Sequence, residues 1–169
     1  MTMQPGQILV ADHGGVYVIK LIGDVRLTLC ISFDQFIESM FAHKDFVSVM
    51  FDLTQAQAID STTLGLMAKI SILAREQKHI TPVVVSTKSG INRLLDSMGF
   101  SDIFHVLHDF DLSELALRQP IGHSEFTVAQ ELDEVQVKQK VLEAHRVLMG
   151  LNDSNRETFQ DLIKTLESC

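Results

Sequence analysis

Hydrophobic residues along the first two-thirds of the chain fall in short runs broken by polar and glycine-rich segments. Ile8 to Ala11 and Val16 to Ile22 are two such runs, with Asp12-His13-Gly14-Gly15 between them. Two adjacent glycines tolerate positive φ, so the pattern predicts a β-hairpin with antiparallel strands. Gly23 to Leu27 reads as a turn leading onward, and Phe33, Phe36, Ile37 and Met40 then recur at helical intervals from about Ser32 to Phe41. Val47 to Leu53 is β-rich and apolar, the signature of a strand buried on both faces.

A mostly polar stretch, Thr54 to Ile59, reads as a connection to Asp60-Ser61-Thr62-Thr63. These are helix-capping residue types, and Leu64 to Ala74 behind them has helical spacing. Thr81 to Ser86 predicts another buried strand, and Ser89 to Met98 a helix stopped by Gly99. Ile103 to Leu107 predicts a last short strand, and Leu112 to Leu117 a short helix before Pro120. The order β-β-α-β-α-β-α-β-α predicts an α/β fold: a mixed sheet with a hairpin start, helices packed on it and right-handed crossovers.

Beyond Pro120 the pattern changes to helical repeats. Thr127-Val128-Ala129-Gln130 is a capping-box pattern, and Val128, Val135, Leu142 and Met149 recur every seven residues to Gly150. Val141, Ala144 and Leu148 widen that stripe. Ser154-Asn155-Arg156-Glu157 forms a second capping-box pattern before Phe159, Leu162, Ile163 and Leu166. The chain thus divides into a sheet domain, residues 1–120, and a C-terminal α-hairpin extension, residues 121–169. The hairpin can pack on its own sheet domain, form a homodimer with a second copy, or dock a partner; periodicity favours none of these outright, and packing on its own chain is the reading preferred here.

Composition narrows the function. A chain of 169 residues with 46% hydrophobic and 21% charged residues can bury a core. Its net charge of −8 disfavours nucleic acid and anionic membranes as partners. Cys30 and Cys169 are the only cysteines, no metal-ligand spacing is present, and no cofactor motif stands out. The N-terminus lacks a signal-peptide pattern, and no apolar run reaches the ~20 residues of a membrane helix, so a cytoplasmic location is expected.

The informative stretch is Phe51-Asp52-Leu53 followed by Ile59-Asp60-Ser61-Thr62-Thr63-Leu64-Gly65. A serine at a helix N-terminus lies among unsatisfied N–H groups and the positive end of the helix dipole, which tolerate a phosphoryl group. On chemistry alone, a simple helix cap at Asp60 or Ser61 is the more economical account. A response-regulator receiver, suggested by Asp12 and Asp52, lacks a helix after its first strand and a lysine after its last; Lys88 comes one strand too early. A hydrolase centred on Ser61 lacks the Gly-x-Ser-x-Gly elbow, and nothing in the sequence places His79, His105 or His108 beside it.

Three segments together resemble the STAS family, the domain of anti-sigma factor antagonists (anti-anti-sigma factors). Asp52, Asp60-Ser61 and Leu64-Gly65 match its strand–Asp-Ser–helix signature. Gly23-Asp24-Val25 sits where the family has Gly-Glu-hydrophobic, and Asn92 to Phe100 matches its third helix and glycine end. The resemblance covers residues 7 to 117. It departs from the family at Arg26, where an acidic residue is common, and at Thr62-Thr63, where a smaller pair is common.

The resemblance implies a non-enzymatic bacterial regulator of transcription that works by partner switching. The unphosphorylated protein binds an anti-sigma factor that is also a serine kinase; phosphorylation at Ser61 releases it; a serine phosphatase, such as a response regulator with a PPM-type output, resets it. Thr62 and Thr63 are implied secondary acceptors, and Asp24, Arg26, Asp60, Ser61, Thr62, Thr63 and Leu64 the implied partner face. The alternative is a STAS domain serving as a non-phosphorylated subunit of a signalling or lipid-transport assembly.

Overall fold

The computed structural model describes residues 5–108, 122–126 and 134–168. Strands β1 (Gln7–His13) and β2 (Val16–Val25) pair antiparallel. Gly14 and Gly15 both hold positive φ, 66° and 97°, which is the backbone a tight primed turn demands. Asp12 Oδ1 accepts the Gly15 N–H at 2.7 Å and closes the turn.

Helix α1 (Leu27–Ala42), strand β3 (Ser48–Ile59), helix α2 (Ser61–Lys78), strand β4 (Val83–Val85), helix α3 (Ser89–Ser97) and strand β5 (His105–Leu107) follow. β2 to β5 are mutually parallel neighbours, and strand β6 (Gly122–Phe126) adds antiparallel to β1, giving the order β5-β4-β3-β2-β1-β6. The three crossovers step in one direction, so right-handed connections place α1, α2 and α3 on the same face. Ile19 and Phe51 pair in register between β2 and β3, and both are fully buried with Ile37 of α1 and Met67 of α2 in one core.

Several elements differ from the sequence expectation. Thr54 to Ile59 is not a connection: it is the second half of β3, paired with β2 as far as Ile59. The register slips between Lys20 and Ile22 and again between Gly23 and Asp24, each time with an extra residue in β3. A bulge breaks the two-residue alternation on which a strand is recognised. At the first slip, Asp52 Oδ1 accepts both the Thr54 N–H (2.9 Å) and the Thr54 hydroxyl (2.7 Å), so the displaced groups are paired locally. Gly23, at the second slip, has φ of 74°. Gly23 to Val25 is likewise strand and not turn, and α1 begins at Leu27 without a side-chain cap, which left its start without a polar signal.

β6 was not anticipated; it comes from the segment assigned to the extension and has no alternating apolar run to announce it. The anticipated helix at Leu112 to Leu117 and the capping pattern at Thr127 to Gln130 lie outside the described residues, as does Cys169. The C-terminal hairpin is made of α4 (Glu134–Met149) and α5 (Asp153–Glu167). Its second helix is capped by Asn152, whose side chain accepts the Asn155 N–H at 2.7 Å, and not by Ser154. Asparagine and serine cap about equally well, so the capping-box spacing alone misplaced this start by two residues.

The hairpin packs on the helices of its own chain. Gly65 of α2 meets Ala144 of α4 backbone to backbone: a Cβ on Gly65 would lie 2.6 Å from Ala144 Cα and closer still to its carbonyl oxygen. Leu148 is fully buried and joins the main core, as does Phe159 of α5. At the other end, Asn155 donates to the Met98 carbonyl (2.8 Å) and the Leu148 carbonyl (2.9 Å), tying α5 to the end of α3.

Candidate functional site: the N-terminus of α2

The parallel register brings the ends of β2 and β3 side by side, with Asp24 opposite Ala58 and Val25 opposite Ile59. The Asp60 N–H continues that pairing by donating to the Val25 carbonyl at 3.2 Å. Asp60 then leaves the sheet in extended conformation (φ −78°, ψ 165°) and caps α2. Its Oδ1 accepts the Thr63 N–H at 2.8 Å and the Thr63 hydroxyl at 2.7 Å. One carboxylate oxygen so satisfies an orphan helix donor and fixes a side chain in the first turn.

Of the residues the sequence singled out, Asp24, Arg26, Asp60 and Ser61 gather at this carboxyl-terminal edge of the sheet. Arg26 donates from Nε to Asp24 Oδ2 at 2.8 Å, with 69% of the arginine side chain and 18% of the aspartate side chain exposed. Thr62, Thr63 and Leu64 are buried, at 5%, 3% and 1% exposure, so they hold the turn from inside and present little to a partner. Lys88 donates to the Ala56 carbonyl at 2.9 Å and joins the start of α3 to the irregular end of β3.

Ser61, the first residue of α2, has a partner that sequence reasoning missed. Its Oγ lies 2.7 Å from Nε2 of His145 on α4. The other ring nitrogen, Nδ1, lies 2.6 Å from the Val141 carbonyl one turn earlier. A carbonyl only accepts, so Nδ1 carries a proton; in the neutral imidazole Nε2 is then an acceptor, and the Ser61 hydroxyl donates to it. His145 is 2% exposed and meets Phe159 of α5 edge-on, with ring centroids 4.9 Å apart. The sequence did hold a signal: His145 stands four after Val141 and three before Leu148, a polar residue on an apolar helical face.

The imidazole is oriented by a carbonyl of its own helix and, among the described residues, not by a carboxylate, unlike a Ser-His-Asp triad, and it is sealed between α2 and α5. Among the described residues there is no group of three or more His, Cys, Asp or Glu that could hold a metal ion, and no helix is long and apolar enough to cross a membrane.

The contacts continue along one face of α2. Ser61, Gly65 and Lys69 are spaced four apart and meet His145, Ala144 and Glu143 in turn, the last through an ion pair between Lys69 and Glu143. The start of α2 is therefore buried on two sides, by the sheet and by α4.

Comparison with known proteins agrees with this architecture. The STAS domain family model matches residues 7–113, and the chain belongs to that family. Among solved structures, the chain is similar to the crystal structure of an anti-sigma factor antagonist from Mycobacterium paratuberculosis, with a TM-score of 0.50 and 22% identity over 70% of this chain and 96% of that one. That likeness is one of fold. No curated protein shows significant sequence similarity to the chain.

Proposed function

We propose that this protein is an anti-sigma factor antagonist that works by partner switching, with Ser61 as the phosphoacceptor. The observation that carries the reading is the position of Ser61: first residue of α2, directly behind the Asp60 cap, on the sheet edge it shares with Asp24 and Arg26. Unphosphorylated, this edge binds an anti-sigma factor that is also a serine kinase. Phosphorylation adds about −1.5 to −2 charges and three acceptor oxygens beside Asp24 and Asp60, which repels a surface that accepted a neutral hydroxyl. A serine phosphatase restores the binding form. Thr62 and Thr63 rank below Ser61 as acceptors because both are buried.

A second reading is favoured by the bond from Ser61 to His145. It makes the protein a constitutive STAS subunit of a signalling or lipid-transport assembly, with Ser61 a tether for α4. Phosphosite mapping of the protein from its native cells separates the two. A phosphate on wild type that is lost in Ser61→Ala supports the switch, together with weakened partner binding in Ser61→Asp and retained binding in Ser61→Ala. Equal partner affinity for all three forms would refute it.

A further inference from the structure

We infer that the α4–α5 hairpin is an intramolecular latch over Ser61: closed, it shields the serine, and a phosphate on Ser61 forces it open. The inference rests on Ser61 being the switch residue. In the closed form the Ser61 hydroxyl is hydrogen-bonded to Nε2 of His145 at 2.7 Å, and the imidazole occupies the approach on that side of the oxygen. A phosphoryl group puts a phosphorus and three oxygens beyond Oγ, into space that the imidazole holds at hydrogen-bond distance, so the imidazole has to retreat.

The ring cannot retreat alone. Its helix neighbour Ala144 is seated on the backbone of α2 at Gly65, its Nδ1–H is spent on Val141 of α4, and its far face rests on Phe159. Room for the phosphate therefore comes from moving α4, and α5 moves with it through Leu148, Asn155 and Phe159.

Closure has a second consequence. α4 already occupies the flank of the α2 N-terminus, so a partner helix that reads this end of α2 competes with α4 for it. Since the closed hairpin and a bound partner use the same face, partner binding and hairpin opening favour each other by the same factor in the unphosphorylated protein, and the charge of the phosphate, which repels the partner, acts separately. The hairpin sets a threshold for both the kinase and the anti-sigma partner.

The test uses the full chain with phosphoserine encoded at position 61 and hydrogen–deuterium exchange read by mass spectrometry. The latch predicts amides of α4 and α5 exchanging about tenfold or more faster than in the unmodified protein, while β2 and β3 keep their protection. Ala144→Glu, which puts a charge against Gly65, is expected to release the same amides without phosphate. Unchanged protection of α4 in the phosphoserine protein would overturn the latch, and so would loss of protection throughout the chain, because a latch opens locally. The encoded phosphate needs no native kinase, so the two readings fail separately. Unchanged α4 protection alongside native phosphate on Ser61 removes the latch and leaves the switch. Local opening with no phosphate in native cells does the reverse.

Discussion

Replacing Gly65 with alanine sets two effects of opposite sign against each other. Alanine in a helix interior is favoured over glycine by about 1 kcal/mol, so a freely exposed Gly65 would gain stability on substitution. Here the new methyl would lie 2.6 Å from Ala144 Cα, against backbone that cannot turn aside as a flexible side chain can. Forcing a methyl into a packed contact costs typically 1–3 kcal/mol, and more where the neighbour is main chain. To relieve it α4 must lift from α2, which also loosens Leu142 and Leu148, at 9% and 0% exposure. We expect Gly65→Ala to destabilise by a net of up to ~2 kcal/mol, the balance of these two magnitudes. For a domain of this size that lowers Tm by up to roughly 8 °C. Urea and thermal denaturation by circular dichroism read the sign directly. A Gly65→Ala protein more stable than wild type would refute the seating of α4 on α2, because only the propensity gain would then be felt.

Other perturbations probe separate joints. Asp60→Ala removes the cap of α2 and its bond to the Thr63 hydroxyl; denaturant titration is expected to show a loss of about 1–2 kcal/mol, and Asp60→Asn to recover much of it. Asn155→Ala leaves the Met98 and Leu148 carbonyls without their amide donor, and the same titration should show about 1–3 kcal/mol lost, with α5 the first helix to lose exchange protection. His145→Ala removes the acceptor of the Ser61 hydroxyl and is expected to raise α4 exchange while leaving β2 and β3 protected. Burial of Tyr17, with the carboxylates of Asp12 and Asp45 nearby, pushes its phenol above the ordinary 10.0. The unfolded chain then releases that proton at lower pH than the folded one, so stability present below about pH 10 declines as pH rises from there through the folded value; Tyr17→Phe should flatten this stretch of the stability profile.

How far the sequence could be read follows from which physical pattern each segment keeps. The hairpin at Gly14-Gly15, the cap at Asp60 and the stop at Gly99 are local, and residue type alone identifies them: Gly99 does hold a left-handed φ of 82°. The second half of β3 was illegible because its two bulges break the alternation and its ladder depends on β2, 33 or 34 residues earlier in the chain. β6 is short and owes its existence to the free edge of β1. For the site, the grouping of Asp24, Asp60 and Ser61 follows from strand order once the sheet is known. His145 does not, because a bond across 84 positions leaves no trace in either segment. Gly65 carried a family resemblance in the sequence; the structure adds a second reason for it, room for Ala144.

The energies involved suit a latch better than a permanent clamp. The Ser61–His145 hydrogen bond contributes about 0.5–1.5 kcal/mol net. The Lys69–Glu143 pair is about a third exposed, at 27% and 37%, and is worth at most ~1 kcal/mol after solvent screening. These polar contacts are individually weak, and the apolar seat of Ala144 and Leu148 supplies the rest of the closed state. Taking an equilibrium from 99:1 closed to 99:1 open requires about 5.5 kcal/mol of preference for the open form. A phosphate that deletes the hydroxyl, needs the space the imidazole fills and must otherwise lose part of its water acts on the closed form alone. The added charge of about −1.5 to −2, partly desolvated at that half-buried contact, is worth up to several kcal/mol, the required order. A permanent cation at 145 would pair with the phosphate and oppose opening. His145→Arg in the phosphoserine protein should accordingly restore slow exchange in α4, and fast exchange in that protein would show that lost space and not charge opens the hairpin.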